Sequence, residues 1–372
     1  MGLQKCMSFT QRIKKKASDV GFDLVGVAPV EPVPELSFYR DWIEAGYAGK
    51  MAYLERQAEQ KQSVKNIVPE AQSVIVCAKI YHTPFPLSVE SDDTNRGWIS
   101  RYAWGDDYHD ILQKKLFEII EFIRTEGPEE IVTRSYVDTG PVIDRVYAKY
   151  AGIGWFGKNT CIIDQQHGSW FFLGEIITNL KLDYDDPVPD RCGSCNRCIE
   201  ACPTDALLEP YLLDSNRCIS YLTIELHDEI PESLRKEMGN HLFGCDICQD
   251  VCPWNRKAPV THEPAFQPRE NFVNPYLSEL AQFSVETFRQ TFKNSPVKRS
   301  KYTGFMRNVA VAMGNSRNDA YLPILQELAE YEDPLIAVHA EWAITQIMAQ
   351  NSAKGTKHSF KNGSMEPCQK TS

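Results

Sequence analysis

Three features are missing from this chain of 372 residues. No apolar run approaches the roughly 20 residues needed to span a bilayer, so the sequence excludes a transmembrane helix. Residues 1–10 lack the positive-then-apolar pattern of a signal peptide, and we therefore expect a cytoplasmic protein. An excess of positive charge is also missing, because 50 acidic residues outnumber 40 basic ones and give a net charge of −10. This balance excludes a chain coated in positive charge but leaves room for a local basic face.

The composition is otherwise that of a folded protein. Hydrophobic residues make up 42% of the chain and charged residues 24%, which excludes a disordered or fibrous chain. At roughly 150 residues per domain, the length predicts two to three domains. The unusual feature is a count of twelve cysteines. In a chain expected to stay in a reducing compartment, that count favours metal ligation over disulfides.

Eight of the twelve cysteines fall between residues 192 and 252, with a spacing typical of iron–sulfur proteins. The first four follow the pattern C-x2-C-x2-C-x3-C-P, in which three thiolates bind one [4Fe–4S] cluster and the fourth binds a second cluster. Applying this crossover divides the eight into two complete sets. The first set is Cys192, Cys195, Cys198 and Cys252, and the second is Cys202, Cys218, Cys245 and Cys248.

Structural zinc is the alternative, since it also takes sites of four thiolates. Zinc sites usually consist of two C-x2-C pairs, however, and the triplet followed by Cys202-Pro203 does not fit that pattern. The remaining cysteines are predicted to be inert, two in apolar runs typical of buried strands and two near the termini. They are Cys77, Cys161, Cys6 and Cys368.

The hydrophobic pattern divides the chain into regions, and the expected fold class is α+β multidomain. Residues 1–185 alternate helical and strand patterns and predict an α/β domain. Residues 186–260 carry the cluster cysteines and predict a ferredoxin-like domain. Strand signals vanish in residues 261–350, where paired helical segments predict an all-α, HEAT-like domain. Residues 351–372 are polar and rich in Lys, Gly and Ser, which predicts a disordered tail.

Two motifs of the first domain look like ligand sites but lack part of the required pattern. Residues 152–157 match the G-x-G-x-x-G dinucleotide fingerprint, which requires a strand before the glycines and a helix after them. Here a predicted helix at 144–151 precedes them and a predicted strand at 160–163 follows, so we reject nucleotide binding. His109 lies in a near match to the Asp-x-His-x-x-Gly signature of cobalt-ligating enzymes. Leu112 replaces its glycine, so His109 is expected to be structural.

Asp138 is a candidate for catalysis because of its place in the chain. It follows a predicted strand at 131–137, and strand ends in α/β domains face ligand crevices. A carboxylate at such a position is most often a turn or helix cap, and the residues alone leave both interpretations open.

Residues 287–318 form a basic segment, with seven Lys and Arg residues and no acidic residue. Four aromatic residues are interleaved with them. Two interpretations stay open, a solvated helix face or a surface that binds phosphates. The candidate phosphate-binding residues are Lys298, Arg299, Lys301 and Arg307.

Taken together, these motifs resemble the epoxyqueuosine reductase family of tRNA-modifying enzymes. The resemblance covers about residues 8–350, and the cobalamin and cluster domains of that family are in turn similar to reductive dehalogenases. It is carried by the eight cysteines and by residues 100–109, 137–141, 152–159, 168–175, 217–225 and 239–246.

The resemblance implies a cytoplasmic oxidoreductase for the last step of queuosine biosynthesis. It would reduce epoxyqueuosine to queuosine at the wobble position of a tRNA anticodon, by two-electron removal of the epoxide oxygen. It implies base-off cobalamin in the first domain, two [4Fe–4S] clusters beside it, and a HEAT-like domain that binds tRNA. An external low-potential donor would supply electrons, and we expect a monomer.

The resemblance also assigns roles to individual residues. Asp138 would be the proton donor to the epoxide oxygen, with a pKa raised by burial against the corrin. The implied corrinoid contacts are Lys61, Arg101, Asp138, Ser220 and Asp246.

Two other functions stay open at this point. One is a corrinoid-dependent reductase of small organohalides, against which the basic segment argues because such a substrate needs no phosphate contacts. The other is a non-catalytic iron–sulfur electron-transfer module, against which the long α/β domain before Cys192 argues.

Overall fold

The structure is a computed structural model that describes residues 7–128 and 130–359. Within these residues, no helix is both long enough and apolar enough to cross a membrane. The strands are β1 (Leu24–Pro29), β2 (Ser73–Ile80), β3 (Trp98–Ile99), β4 (Thr133–Tyr136), β5 (Trp155–Phe156), β6 (Ile162–Ile163), β7 (Phe171–Thr178), β8 (Leu207–Glu209), β9 (Leu212–Leu213) and β10 (His241–Phe243). The helices are α1 (Phe9–Asp19), α2 (Pro34–Glu44), α3 (Ala52–Arg56), α4 (Tyr108–Glu126), α5 (Asp144–Tyr150), α6 (Arg197–Glu200), α7 (Ile219–Ile224), α8 (Glu232–Arg235), α9 (Ile247–Asp250), α10 (Leu277–Leu280), α11 (Val285–Thr291), α12 (Lys301–Ser316), α13 (Leu322–Ala329) and α14 (Pro334–Ser359).

The first region is built on a four-stranded sheet in the order β1-β2-β7-β4. Every neighbouring pair in this sheet is antiparallel. The α/β prediction for residues 1–185 is therefore wrong in one respect, because α/β folds have mostly parallel sheets. Helices and strands do alternate along the chain, but mixed α+β describes the result.

Both faces of the sheet are covered, and the alternation of side chains along β2 shows how. Ile75 and Cys77 pack with α1 and α4 on one face. Val74 and Val76 point the other way and pack with α5 and the segment that follows it. Because successive side chains of a strand point to opposite faces, a strand covered on both sides is apolar throughout. All eight residues of β2 are accordingly buried.

The C-terminal helices share a core with both earlier regions. Helices α12, α13 and α14 pack with Trp98 and Ile99 of β3 and with apolar residues of the segment 219–243. Strand β3 also pairs in parallel with β10. The predicted boundaries at 185 and 260 therefore cut across one continuous core, because hydrophobic periodicity shows which residues are buried but not which ones meet.

Two segments of the C-terminal region differ from the prediction. Helix α14 continues to Ser359 and so overlaps the segment 351–372 that was expected to be disordered. Residues 360–372 lie outside the described residues. The helices predicted at 305–314 and 321–331 correspond to α12 and α13, and the resemblance to HEAT repeats stays a proposal.

Arg307 was predicted to bind tRNA, and the structure contradicts this. Its side chain is 0% exposed. The guanidinium donates hydrogen bonds to the carbonyl oxygens of Leu222, Leu226 and Asp228, and to Oδ1 of Asn308. Charge in the sequence does not reveal the direction of a side chain, and here the cation joins α12 to the end of α7.

We expect Arg307→Met to destabilise the protein, because the variant leaves several carbonyl groups without their donor. The expected loss is about 3 kcal/mol in the free energy of unfolding. A lower midpoint of thermal or urea unfolding would measure it. Arg317→Met, at an exposed site just after α12, is the matched control and should change stability by less than about 0.5 kcal/mol. Equal stability of the two variants would contradict the buried role.

Candidate active site and cluster region

The loop between β4 and α5 carries Asp138 into an open space. Asp138 has a φ of 57°, in the left-handed region that few non-glycine residues occupy. Its side chain is 58% exposed, although the adjacent Val137 is buried. The backbone therefore turns sharply after β4 and directs this carboxylate away from the core. We call residues 137–143 the Asp138 loop.

Two side chains from the start of α4 meet Asp138, and Asp107 contacts one of them. Tyr108 Oη donates a hydrogen bond to Asp138 Oδ2 at 2.8 Å. His109 Nε2 lies 3.7 Å from the same oxygen, and its Nδ1 lies 2.7 Å from Asp107 Oδ1. Asp107 is also the N-cap of α4, since its side chain accepts from the backbone N–H of His109. The helix start thus presents an acid, an imidazole and a phenol to the Asp138 loop.

The charges of this group fix its protonation near neutral pH. Burial of Asp138 would raise its pKa, but the contacts from His109 and Tyr108 outweigh it and lower the pKa to about 2. Burial of His109 would lower its pKa, but Asp107 and Asp138 raise it to about 9. Asp138 is therefore ionised and His109 protonated at neutral pH. The raised pKa expected for Asp138 depends on burial against a corrin and stays a prediction; in the protein alone, His109 and Tyr108 stabilise its charge.

His109 was expected to be structural, and the structure places it beside Asp138 instead. Leu112 had counted against a ligand role, yet it is simply a buried residue of α4 one turn after His109. One signal in the sequence could have indicated a functional role for His109. Asp107, Tyr108 and His109 are consecutive polar residues at a helix start, the first of them as the cap. Sequence reasoning missed it because the partner, Asp138, lies 30 residues from Tyr108.

The proposed corrinoid contacts occupy different positions. Lys61 is 8% exposed, and its Nζ donates to the carbonyl oxygens of Gly140 and Val142 in the Asp138 loop. Two of the three N–H donors of its ammonium are therefore engaged. Ser220 lies half-buried on α7, directly after the first-turn residue Ile219.

Arg101 and Asp246 are both buried, and a hydrogen bond joins the two segments that carry them. Arg101 is 2% exposed, and its guanidinium donates to the carbonyl oxygens of Thr83, Phe85 and Pro86. The Asp246 carboxylate is 1% exposed and accepts from the Arg101 backbone N–H. A contact of either residue with a corrinoid therefore stays a proposal.

Cysteines of each predicted set lie near enough in the structure to influence one another's thiol pKa, and the assignment of the sets to two clusters stays a prediction. In the first set, burial and the charges of Cys192 and Cys195 raise the pKa of Cys198 to about 11. Burial also raises the pKa of Cys252 to about 11, and the charges of Cys192 and Cys198 contribute, although Cys252 belongs to the second motif of the sequence. Cys252 thus lies near cysteines of the first motif, as the predicted crossover requires.

The second set is assembled in the same way. Burial and then the charge of Cys218 raise the pKa of Cys245, with a further contribution from Cys202. The thiol contact with Cys161, burial and the charges of Cys245 and Cys218 raise the pKa of Cys248. Thiols of high pKa are protonated at neutral pH, so metal binding must displace their protons.

The other cysteines fall into two groups. Cys77 is fully buried in β2, as predicted for a strand cysteine. Cys161 was predicted to be inert in a buried strand, but it lies just before β6 and its thiol contacts that of Cys248. Cys6 and Cys368 lie outside the described residues.

The glycine motif at residues 152–157 has the topology that argued against nucleotide binding. Helix α5 precedes it, and the hairpin of β5 and β6 follows it. A Cβ atom at Gly154 would lie 2.4 Å from the carbonyl oxygen of Ile163. This glycine therefore permits two strands of the protein to approach each other.

Two family models match the chain. The model of the "4Fe-4S double cluster binding domain" matches residues 191–255, and "Epoxyqueuosine reductase QueG, DUF1730" matches residues 61–139. The epoxyqueuosine reductase of Xanthomonas campestris is 37% identical over 339 residues, which are 90% of this chain and 95% of the relative. The chain belongs to the epoxyqueuosine reductase family.

Solved structures of the epoxyqueuosine reductase family have the same fold. A crystal structure of an epoxyqueuosine reductase with an epoxyqueuosine-modified tRNA-Tyr stem loop has a TM-score of 0.84 at 31% identity, and covers 95% of this chain and 94% of that chain. The enzyme from Bacillus subtilis, with its aspartate catalytic loop swung out of the active site, gives the same values.

The matched regions coincide with the sites described above. The epoxyqueuosine reductase model begins at Lys61 and ends just after Asp138, and so includes the start of α4. The double-cluster model covers all eight spaced cysteines, which favours iron–sulfur clusters over the zinc alternative. This family member therefore has its candidate active site and its cluster domain side by side in the chain.

The basic side chains of the segment, apart from Arg307, are exposed, and one of them reaches the active site. Lys298 Nζ lies 2.9 Å from Asp107 Oδ2, so it contacts the same carboxylate as His109. Arg299 pairs with Glu225, whose contact holds the pKa of the guanidinium above its usual range against the effect of burial. Lys301 is exposed. Three of the interleaved aromatic residues are core residues that no nucleotide could reach: Phe288, Phe292 and Phe305.

We expect Asp107→Asn to lower the pKa of His109 from about 9 toward its ordinary 6.5, because the imidazolium loses a counter-charge. NMR titration of the histidine rings measures this, with His109→Gln to assign the signal. Lys298→Met is the matched comparison. It removes the cation that competes for Asp107, so the pKa of His109 should rise. An unchanged pKa in both variants would contradict the network.

Proposed function

We propose that this chain reduces epoxyqueuosine to queuosine in tRNA, with Asp138 as the residue that delivers a proton to the substrate. Removal of the epoxide oxygen as water leaves an alkene and consumes two electrons and two protons. The observation that carries this assignment is the protonated His109 held against an ionised, solvent-accessible Asp138. The structural relatives named above act on this substrate or carry an aspartate on a catalytic loop.

We propose base-off cobalamin as the cofactor of this site. His109 Nδ1 contacts Asp107 Oδ1, and Nε2 lies 3.7 Å from Asp138 Oδ2, so each ring nitrogen faces a carboxylate. Lys61, Ser220 and the exposed carboxylate of Asp138 would contact the cobalamin, with Arg101 and Asp246 in the wall behind. When bound, the corrinoid supplies the low-potential electrons that break the carbon–oxygen bond.

The chain's own residues supply the first of the two protons, and the second comes from solvent. Substrate and cofactor together would exclude water from the open face of Asp138, and loss of solvation raises the pKa of a carboxylate. The carboxylate would then take a proton from His109, because the pKa of Asp138 would rise toward that of His109. Tyr108 keeps the carboxylate oriented through the bond to Oδ2. His109 is thus the proton store, and Asp138 transfers the proton to the epoxide oxygen.

We propose that the two cysteine sets hold two [4Fe–4S] clusters, which the match to the double-cluster domain supports. The second set includes Cys218, two residues before the proposed corrinoid contact Ser220. This supports the second cluster as the one nearer the active site. Three cysteines of the first set lie in α6 or just before it, beside exposed Arg191 and Arg197, and an external low-potential donor would deliver electrons there. Iron–sulfur thiolates at this spacing are suited to one-electron transfer.

We expect Asp138→Asn to lower conversion of epoxyqueuosine in an anticodon stem-loop by roughly 100- to 10,000-fold, as for loss of a general acid. The assay uses anaerobic, cluster-loaded protein with cobalamin and a chemical reductant. The corrinoid absorbance and the iron content should stay at wild-type values, which separates lost chemistry from lost cofactor. Gln113→Ala, at an exposed site of α4, is the control.

His109→Gln tests the proton store in the same assay. Conversion should fall, and the loss of rate toward high pH that follows titration of His109 near pH 9 should disappear. Full activity of the Asp138 variant would remove the proposed role. Failure of the wild-type protein to bind any corrinoid would remove the proposed function.

The basic segment supports binding of the tRNA backbone. We expect the triple reversal of Lys298, Arg299 and Lys301 to Glu to weaken binding of the stem-loop and to flatten its salt dependence, because fewer counterions are released. Fluorescence anisotropy at several salt concentrations measures both. Reversal of Arg289 and Lys293, which are exposed on α11 and just after it, is the matched control. Unchanged affinity would mean that 298–301 is a solvated face.

A further inference from the structure

Three charged residues lie under the Asp138 loop and take no part in the proposed proton transfer. They are the buried Lys61 and Glu175 and the half-buried Asp144, whose Oδ1 atom is buried, and we call them the buried triad. Lys61 belongs to a 3-10 turn at Gln60–Gln62, Asp144 begins α5, and Glu175 lies within β7. They come from distant parts of the chain and meet only in the folded protein.

Lys61 holds the backbone of the loop from below. Its Nζ lies 3.1 Å from the Gly140 carbonyl oxygen and 2.8 Å from that of Val142. Both acceptors follow Asp138 within four residues. Gly140 itself packs so closely on Tyr136 that a Cβ atom would lie 2.3 Å from the tyrosine ring. The loop is therefore fixed by side chains from the first region of the chain and from β4.

Glu175 is an unusual residue for the middle of a sheet. It pairs with Val76 of β2 and Tyr136 of β4, and it is 0% exposed. Among the residues that the structure describes, neither of its oxygens has a hydrogen-bond donor, and Asp144 Oδ1 also lacks one. The two carboxyl groups are within hydrogen-bond reach of each other, and burial and then the charge of Asp144 raise the pKa of Glu175. Two carboxyl groups can bond in this way only if they share a proton.

With one shared proton, the charges of the buried triad balance. The carboxyl pair carries one negative charge, and the Lys61 ammonium carries one positive charge. Burial lowers the pKa of Lys61, while attraction to Asp144, Asp138 and Glu175 opposes that effect. A buried ammonium without such a counter-charge would be costly, so the pair keeps the cation in place beneath the loop.

The loop needs such support because of its backbone. Asp138 has a φ of 57°, a conformation that costs energy for a non-glycine residue and persists only when surrounding contacts enforce it. Tyr108 constrains the side chain of Asp138. Lys61 constrains the backbone of the residues that follow it in the loop.

We propose that Lys61, Asp144 and Glu175 are positioning residues that hold the Asp138 loop in its active conformation, the carboxyl pair by keeping the Lys61 ammonium under the loop. This inference rests on the proposed function in one respect, namely that the position of Asp138 matters for the reaction.

Hydrogen exchange of the Asp138 loop tests the proposal without measuring turnover. We expect Lys61→Met to increase amide exchange in residues 137–143 by about tenfold, since the loop opens more often. Strands β2 and β7 should keep their protection. Lys61→Arg, which keeps the charge and the donors, should restore slow exchange. Lys65→Met, at an exposed site one turn later, is the matched control and should exchange like the wild-type protein.

The carboxyl pair allows a second test that keeps the lysine. Glu175→Gln leaves one negative charge, because Asp144 can ionise and accept from the new amide, so exchange in 137–143 should stay slow. Asp144→Asn combined with Glu175→Gln removes the charge, and exchange should rise about as much as in Lys61→Met. Fast exchange in the single variant, or slow exchange in the double variant, would overturn the role of the pair.

The cluster-loaded protein is measured with and without added cobalamin, which separates two roles of Lys61. If Lys61 anchors the loop, Lys61→Met accelerates exchange both with and without cobalamin. If Lys61 only contacts the corrinoid, Lys61→Met changes exchange only when cobalamin is present, and that result would overturn the proposal. Acceleration that spreads over β2 and β7 would overturn it as well. Accelerated exchange in 137–143 with undiminished conversion of the stem-loop would uphold the anchor and reject the catalytic role of Asp138.

Discussion

One buried carboxylate joins the active-site side of the molecule to its cluster side. Asp246 lies between Cys245 and Cys248, and it accepts hydrogen bonds from Trp98 Nε1, Ser100 Oγ and the Arg101 backbone N–H. All three donors belong to the segment that leads into α4. A buried charge is tolerated only when it is fully hydrogen-bonded, so this arrangement has little freedom to change. The start of α4, and with it the polar side chains around Asp138, is therefore tied to the second cysteine set.

The charged groups around Asp138 alternate in sign along a series that begins at Lys298. Lys298 neutralises Asp107, Asp107 contacts His109, and His109 faces Asp138. Each group has a neighbour of opposite charge, which explains why an imidazole of pKa about 9 and a carboxylate of pKa about 2 can lie beside each other. The ion pair persists at neutral pH because the two values lie on either side of it. A pair charged in this way is ready for proton transfer once water is excluded.

Local patterns in the sequence predicted most elements but few of the contacts between them. The helix expected at 106–126 is α4, because its apolar residues recur at helical spacing, and the crossed cysteine sets follow from spacing alone. The fate of Arg307 could not be predicted, since its acceptors lie about 80 residues earlier in the chain. The low pKa of Asp138 depends on Tyr108 and His109 for the same reason. Chemistry that residues share across the fold becomes visible only when their separation in space is known.

The ion pair between Lys298 and Asp107 has a thermodynamic consequence. Lys298 is 56% exposed, so a phosphate from solution can reach it and compete with Asp107. An anion that draws Lys298 away leaves the full charge of Asp107 to His109, which then holds its proton more tightly. Linkage is reciprocal, so a protonated His109 must in turn strengthen the binding of that anion. A single coupling free energy therefore links anion binding at Lys298 to protonation of His109 in the active site.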